Sequence, residues 1–167
     1  IKEGIAVYSL HTNLDSAENG LNNYIALKLG MESGKITEPH NIKFFKVKLF
    51  LPVEDSVRFK ERLIKESFMN GENYSGVIYI SEYKEEYTVG ELASPFKGES
   101  GNRSFNRATA IEFIVEESKI KECEEFIKNV HPYQEPAYEI VDSGRRKEIG
   151  GIGRVFNLKE PVTIYEY

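Results

Sequence analysis

A histidine and an aspartate four residues apart are the side chains of this sequence whose types and spacing best suit metal chemistry. They belong to the segment His11-Thr12-Asn13-Leu14-Asp15, which directly follows the apolar run of residues 4–10. Such a run is typical of a buried strand in a parallel sheet. Because α/β proteins place ligand sites at the carboxyl ends of these strands, the segment offers one nitrogen and one oxygen donor there. The residues alone favour a plainer interpretation, a strand-end loop with an Asx-type turn.

Other potential metal ligands are few and scattered. The sequence has three histidines and one cysteine, with no Cys-x-x-Cys and no His-Glu-x-x-His motif, so a complete zinc site is not predicted. His131 and Glu135 make a second candidate site, in the last quarter of the sequence. The plainer alternative makes His131 the end of a helix, where a positive charge interacts favourably with the helix dipole. Glu135 would then belong to a packed turn, and the residues favour this alternative.

Residues 1–42 are predicted to form part of an α/β unit. After the His11–Asp15 loop, apolar residues recur every four positions, the spacing of one helix face; they are Leu21, Ile25 and Leu29. Gly30 stands where this helix should end. Residues 31–43 are polar and are predicted to be a linker.

Residues 43–142 are predicted to form a separate ferredoxin-like domain. Short apolar or alternating segments indicate strands, over 45–51, 77–83, 87–92, 108–116 and 137–141. Two helices are indicated between these strands, and Asp55 and Ser118 are their expected N-cap residues. Without the edge strand at 87–92, the order is β-α-β-β-α-β, which is the ferredoxin-like arrangement.

Residues 143–167 are predicted to begin as a second linker, because four glycines lie between positions 144 and 153. Gly151-Ile152-Gly153 is interpreted as a turn, since it does not follow a strand and open a helix as a nucleotide loop would. Near the end, Thr163 and Glu166 have the spacing of a helix capping box. This start signal, with too few residues behind it for a helix, predicts that the sequence is a piece of a longer protein.

Composition restricts the classes of function and the location. The net charge of −5 argues against a general phosphate-binding surface, so nucleic acid is not an expected partner. No apolar run approaches the roughly 18 residues needed to span a bilayer. Cys123 is the single cysteine, which favours a reducing, cytoplasmic location.

Three ordered motifs carry a resemblance to a known family. They are the segments 11–15 with 20–23, 131–138, and 151–154 with 160–163. Together they resemble the Nif-three-like family, whose bacterial members are called GTP cyclohydrolase I type-2 homologues. The resemblance implies two α/β halves that share a dinuclear metal site, with an inserted domain similar to the trimeric Cut-A and PII proteins. Residues 143–167 would then lead into the second half.

The resemblance also implies roles for single residues. Asp15 corresponds to a metal ligand that bridges two divalent ions, which would be zinc, iron or manganese, two per intact subunit. His11 corresponds to a neighbour of the metals with a supporting or substrate-contacting role. A histidine pair upstream and a histidine and glutamate near the carboxyl end have no counterpart among these 167 residues.

Two functions are consistent with these observations. The first is a metal-dependent hydrolase of the GTP cyclohydrolase type, acting on a nucleotide or another small molecule, with this chain inactive by itself. The second is a regulatory or oligomerisation module without catalysis, in which residues 43–142 act as a small-molecule sensor or a trimer cap. The resemblance implies self-association as a trimer or a ring-shaped hexamer in either case.

Overall fold

The computed structural model describes residues 4–31, 34–92, 97–158 and 160–165. The helices are α1 (Asn13–Ser16), α2 (Leu21–Lys28), α3 (Val53–Leu63) and α4 (Ile120–Val130), and the strands are β1 (Lys35–Pro52), β2 (Tyr79–Thr88), β3 (Arg103–Glu116) and β4 (Tyr138–Val155). The chain divides into two compact units. Unit 1 consists of Ile1–Ile42 and Arg146–Tyr167, and unit 2 is Lys43–Arg145.

Unit 2 is built on a four-stranded sheet with the strand order β2-β3-β1-β4. Strand β3 pairs in antiparallel register with β1, where Val47 lies opposite Phe113, and with β2. Strand β4 neighbours β1, and the amide of Phe50 donates to the carbonyl of Ala137 over 3.2 Å. The observed order of elements is therefore β1-α3-β2-β3-α4-β4.

The core of unit 2 lies between one face of the sheet and the two helices. From Val47 to Leu51 of β1 and from Ile111 to Val115 of β3, every second residue is buried, because alternate side chains of a strand point to opposite faces. The buried residues of this cluster include Val47, Leu49 and Leu51 of β1, Ile111, Phe113 and Val115 of β3, Phe59 and Leu63 of α3, and Cys123, Phe126 and Ile127 of α4. Burial of this apolar set is the main stabilising contribution to unit 2.

The hairpin of β2 and β3 differs from the prediction. The separate strand expected at 87–92 is wrong, since β2 continues only to Thr88, and β3 begins earlier than expected, at Arg103. Arg103 and Arg107 form ion pairs with Glu86 and Glu82 of the facing strand, at 2.7 and 2.6 Å. The extension of the hairpin thus carries charged cross-strand pairs, which a search for alternating apolar residues does not detect.

Neither expected N-cap residue caps its helix. Asp55 is the third residue of α3, and the cap position belongs to Pro52. The fixed φ angle of proline suits the entry to a helix, so α3 begins directly where β1 ends. Ser118 lies in a 3₁₀ turn at Glu117–Lys119, and Lys119 occupies the cap position of α4.

The strand predicted at residues 4–10 is absent from the described structure. Val7 and Tyr8 are 86% and 85% exposed, and no described strand pairs with this segment. A strand needs neighbours to satisfy its backbone hydrogen bonds and to bury its side chains, and an apolar run alone does not supply them. In this chain the His11–Asp15 segment therefore does not follow a sheet strand.

The helix predicted after the loop is confirmed as α2, with its end at the expected glycine. Gly30 has a φ of +73°, and the amide of Met31 donates to the carbonyl of Ala26 over 2.9 Å. This is the pattern of a Schellman motif. The predicted apolar face is not buried, however, since Ala26 is the buried residue of α2 and Leu21, Ile25 and Leu29 are exposed.

Both predicted linkers are largely strand. Strand β1 begins at Lys35 and β4 continues to Val155, and the Thr37 hydroxyl donates to the carbonyl of Ile152 over 2.8 Å. The turn predicted at 151–153 is also wrong, because these residues lie inside β4. Glycine-rich composition usually indicates a turn, whereas here the glycines allow close packing. The capping-box prediction involves Glu166, which lies outside the described residues.

No helix in the described ranges is long and apolar enough to cross a membrane.

Candidate functional site

The predicted metal ligand Asp15 lies on the short helix α1. The amide of Ser16 donates to the carbonyl of Thr12 over 3.1 Å, which closes one helical turn around Asp15. The backbone carbonyl of Asp15 accepts a hydrogen bond of 2.8 Å from the Asn22 side-chain amide. The main chain at Asp15 is therefore held both by its own helix and by the first turn of α2.

The carboxylate of Asp15 is left available by this arrangement. The residue is half-buried, and its carboxylate forms no hydrogen bond or ion pair with any residue in the described ranges. A carboxylate held on a fixed backbone without a protein partner is suited to accept a cation, since carboxylate oxygens are common ligands of zinc and manganese.

His11 precedes α1 and is exposed. Within the described part of the chain, no hydrogen bond joins its ring to Asp15. The structure thus places the two predicted residues on one short segment without forming a ligand pair from them.

The end of α1 packs against the glycine-rich part of β4. Gly150 is buried, has a φ of +127°, and lies so close to the Ser16 carbonyl that a Cβ atom would collide with this oxygen. Gly151 and Gly153 approach Glu38 and Thr37 of β1 in the same way. All of these residues belong to unit 1, so the glycines allow three segments of this unit to meet closely.

Arg154 binds the same segments through main-chain oxygens. Its guanidinium donates to the carbonyls of Gly151 and Gly153 over 2.7 and 2.9 Å. It also donates to the carbonyl of Ala17 over 3.1 Å, and this oxygen accepts the amide of Gly20 as well. No pattern in the sequence predicts this role. Two signals in the sequence were present but did not specify it: Arg154 follows three nearby glycines, and it ends the segment 151–154 that carries the family resemblance.

At the second predicted site, both ring nitrogens of His131 take part in hydrogen bonds. His131 is 8% exposed; its Nε2 lies 2.8 Å from the carbonyl of Phe50, and its Nδ1 accepts the amide of Tyr133 over 3.0 Å. One ring nitrogen must donate and the other must accept, which assigns the neutral tautomer with the proton on Nε2. The favourable interaction of a positive charge with the α4 dipole, expected from the sequence, therefore does not apply.

In the described part of the chain, the hydrogen bonds of the His131 ring go to Phe50 and Tyr133 and not to Glu135. The phenol of Tyr133 donates to the carboxylate of Glu85 over 2.7 Å, and burial together with this bond raises the pKa of Tyr133. Glu135 is exposed and forms no hydrogen bond or ion pair with the described residues. His131 thus connects the segment after α4 to the end of β1, while Glu135 lies apart from these contacts.

His131 makes the stability of unit 2 dependent on pH. Burial lowers its pKa below the usual 6.5, against the opposing effects of the Phe50 carbonyl and the charge of Asp55. Above pH 6.5 the ring is neutral in both the folded and the unfolded chain, so its stabilising contribution is complete there. As the pH falls below 6.5, the unfolded chain binds the proton first, and the stabilising contribution of His131 decreases. This decrease ends once the pH is below the folded-state pKa of His131.

We expect the free energy of unfolding, measured in urea, to fall more steeply between pH 7 and 5 in the wild type than in His131→Gln. Glutamine keeps a donor and an acceptor but does not titrate. Equal pH slopes for the two proteins would contradict the assignment of His131 as the titrating group.

The whole chain, residues 1–167, matches the family described as Duf34/NIF3 (NGG1p interacting factor 3). The chain belongs to this family. The resemblance predicted from the three ordered motifs is thus confirmed. A Halalkalibacterium halodurans relative called GTP cyclohydrolase 1 type 2 homolog is 29% identical over 168 residues, covering 100% of this chain and 45% of its own length.

Two solved structures are similar to this chain. A Bacillus cereus protein related to NIF3 has a TM-score of 0.62 and 26% identity, covering 99% of this chain and 43% of its own. A Staphylococcus aureus protein has a TM-score of 0.65 at 20% identity, covering 93% and 38%, and this likeness concerns the fold alone. The chain spans less than half the length of these relatives.

The donor set for a metal is incomplete within this member of the Duf34/NIF3 family. In the described ranges, no group of three or more histidine, cysteine, aspartate and glutamate residues is placed to hold a metal ion. Asp15 fits as one oxygen ligand because its carboxylate is unpaired and its backbone is held. A dinuclear site would require further ligands from other sequence.

Proposed function

We propose that this chain contributes Asp15 to a dinuclear divalent-metal site in a longer protein, and that this protein is a metal-dependent hydrolase. The observation that carries the proposal is the half-buried, unpaired carboxylate on α1, in a chain that matches the Duf34/NIF3 family over its full length. The other ligands, a histidine pair and a histidine with a glutamate, would come from sequence outside these 167 residues.

The chemistry of such a site follows from its charge. Two divalent ions held there would supply the activation of water as a nucleophile near neutral pH. In this proposal, the Asp15 carboxylate would help to hold the ions, and the hydrogen bond from Asn22 to its backbone carbonyl would limit its movement. Zinc, iron and manganese all accept carboxylate oxygen, so this one donor does not select the metal.

His11 is proposed to contact the substrate or to support the metal ligands. It is exposed four residues before Asp15, and a neutral imidazole presents one donor and one acceptor. The names of the relatives favour a nucleotide as the substrate class, because several are called GTP cyclohydrolase 1 type 2 homolog.

Replacing Asp15 by alanine is expected to reduce the metal content of the longer protein from two ions per subunit to at most one. A bridging carboxylate contributes to both ions, so its loss weakens the whole site. Elemental analysis of protein dialysed against buffer with limiting zinc or manganese measures the stoichiometry.

Glu18→Ala is the matched control, since it removes an exposed carboxylate three residues away. This control is expected to keep both ions, and circular dichroism of each variant verifies the fold. Two ions retained in Asp15→Ala would refute the proposal.

We further propose that residues 43–142 form a ferredoxin-like domain inserted between two α/β halves, to which residues 1–42 and 143–167 belong. The division of the chain into unit 2, Lys43–Arg145, and unit 1 supports these boundaries. The strand order β2-β3-β1-β4 with helices α3 and α4 on one face supports the fold.

Other predictions about the whole protein stay predictions. These are its assembly as a trimer or hexamer, a sensor or trimer-cap role for residues 43–142, and a site at His131 and Glu135. A cytoplasmic location also stays a prediction. Cys123, on which the location depends, is a free cysteine in the core of unit 2, where burial raises the pKa of its thiol to about 12.

A further inference from the structure

The main chain directly after Asp15 is held by an unusual arginine. Two of the three carbonyls that accept from Arg154 belong to β4, at Gly151 and Gly153, and the third belongs to Ala17, two residues after Asp15. The guanidinium therefore joins β4 to the end of α1. Because it is planar and presents donors in a fixed fork, it constrains the distance and the direction between the two segments.

A second, independent contact fixes the same place. Gly150 lies so close to the carbonyl of Ser16 that a Cβ atom would collide with it, and the amide of Glu18 lies at an ordinary contact distance. Strand β4 therefore restricts both peptide groups that flank Ala17. Arg154 binds the carbonyl of Ala17, and Gly150 contacts the carbonyl of Ser16.

The donors of Arg154 are directed at the main chain. Within the described ranges its guanidinium pairs with no carboxylate, and each of its hydrogen bonds ends on a backbone oxygen. A solvated surface arginine would not bind three carbonyls, two of them within 2.9 Å. The side chain is half-buried, which strengthens bonds made by a charged donor.

We propose that Arg154 is a positioning residue for Asp15. It fixes the end of α1 so that the Asp15 carboxylate is presented in one orientation to the metal ions. This inference rests on the proposed role of Asp15 as a ligand and goes beyond it, by naming what holds that ligand in place.

The local part of the proposal is testable by hydrogen exchange in the 167-residue chain. The amides of Ser16, Ala17 and Gly20 donate to the carbonyls of Thr12, Asn13 and Ala17. In Arg154→Ala these amides are expected to exchange about tenfold faster, because hydrogen bonds from a charged group are lost from the adjacent carbonyl. Amides of α4 in unit 2 serve as internal references.

Two further variants and one additive distinguish the loss of the guanidinium from a general destabilisation of the chain. Arg154→Lys keeps the charge but not the fork, and is expected to exchange at an intermediate rate. Added methylguanidinium is expected to slow exchange in Arg154→Ala at these three amides. The matched control is Arg58→Ala, an exposed arginine of α3, which should match the wild type with or without the additive. Unchanged exchange in Arg154→Ala overturns the proposal.

The ligand-positioning part is tested in the longer protein by titration with cobalt(II), using its visible spectrum as the signal. Arg154→Ala is expected to bind cobalt about tenfold more weakly, as is usual when a residue that orients a metal ligand is removed. Unchanged affinity in Arg154→Ala, together with loss of binding in Asp15→Ala, would overturn the positioning role alone. Unchanged binding in Asp15→Ala would instead overturn the proposed function. Asp15 would then not be a metal ligand, and Arg154 would have no ligand to position.

Discussion

Replacing Phe113 by alanine is expected to lower the free energy of unfolding of unit 2 by about 4 kcal/mol, within the usual range for a buried phenylalanine. Phe113 is 1% exposed and lies opposite Val47 in the central strand pair. Its ring also stacks on Phe68, with the centroids 6.4 Å apart. The variant loses the transfer free energy of the ring and leaves a cavity that a sheet held on both sides cannot close.

Equilibrium unfolding in urea, followed by far-UV circular dichroism, measures this loss. Phe105→Ala is the matched control, because Phe105 lies in the same strand and is 67% exposed. Surface substitutions of this kind usually change stability by less than about 0.5 kcal/mol. Similar losses in both variants would show that position in the core does not determine the effect.

The core around Phe113 is the part of the molecule that local sequence predicts best. Alternation of Phe45, Val47, Leu49 and Leu51 predicted the strand over 45–51. Val47, Leu49 and Leu51 are fully buried, and Phe45 is half-buried. Such a pattern works because one face of the sheet is covered by α3 and α4 while the other is not, so inward and outward residues differ in polarity. Helices α3 and α4 were predicted because their apolar residues lie on one side of each helix, and that side packs into the core.

Elements stabilised by other interactions were missed or wrongly predicted. The extension of the β2–β3 hairpin is mostly polar and carries the exposed ion pairs of Arg103 and Arg107, so it gave little apolar signal. The apolar run of residues 4–10, in contrast, has the composition of a buried strand but no partner strand in the described structure. Whether a segment becomes a strand depends on neighbours that its own residues do not specify.

The candidate site shows the same limit at the level of single residues. Asp15 and Arg154 both lie in segments that carry the family resemblance, but the resemblance implies a role for Asp15 and none for Arg154. Only the structure shows that Arg154 contacts Ala17, two positions after Asp15. The partners Arg154 and Ala17 are 137 positions apart, and the accepting group is a backbone carbonyl that every residue possesses. A contact of this kind leaves no trace in residue types, except for the glycines that make room for it.

One of those glycines is expected to tolerate substitution very poorly. Gly150→Ala should lower the free energy of unfolding of unit 1 by about 4 kcal/mol, combining about 1–3 kcal/mol of backbone strain with about 1–3 kcal/mol of overpacking. The strain arises because φ is +127°, and the overpacking because the new Cβ collides with the Ser16 carbonyl. This oxygen is part of the backbone and cannot move away as a flexible side chain would.

Gly30→Ala separates these two costs within the same unit. Gly30 also has a positive φ, +73°, but nothing lies within 4 Å of its missing Cβ, so strain alone should cost about 1 kcal/mol. Urea titration followed by NMR signals of unit 1 residues measures both variants, with signals of unit 2 as the internal reference. Equal losses at the two glycines would mean that β4 does not press against the end of α1. The larger loss at Gly150 would show that the backbone carrying Asp15 is held by close contact with β4, in addition to the hydrogen bonds of Arg154.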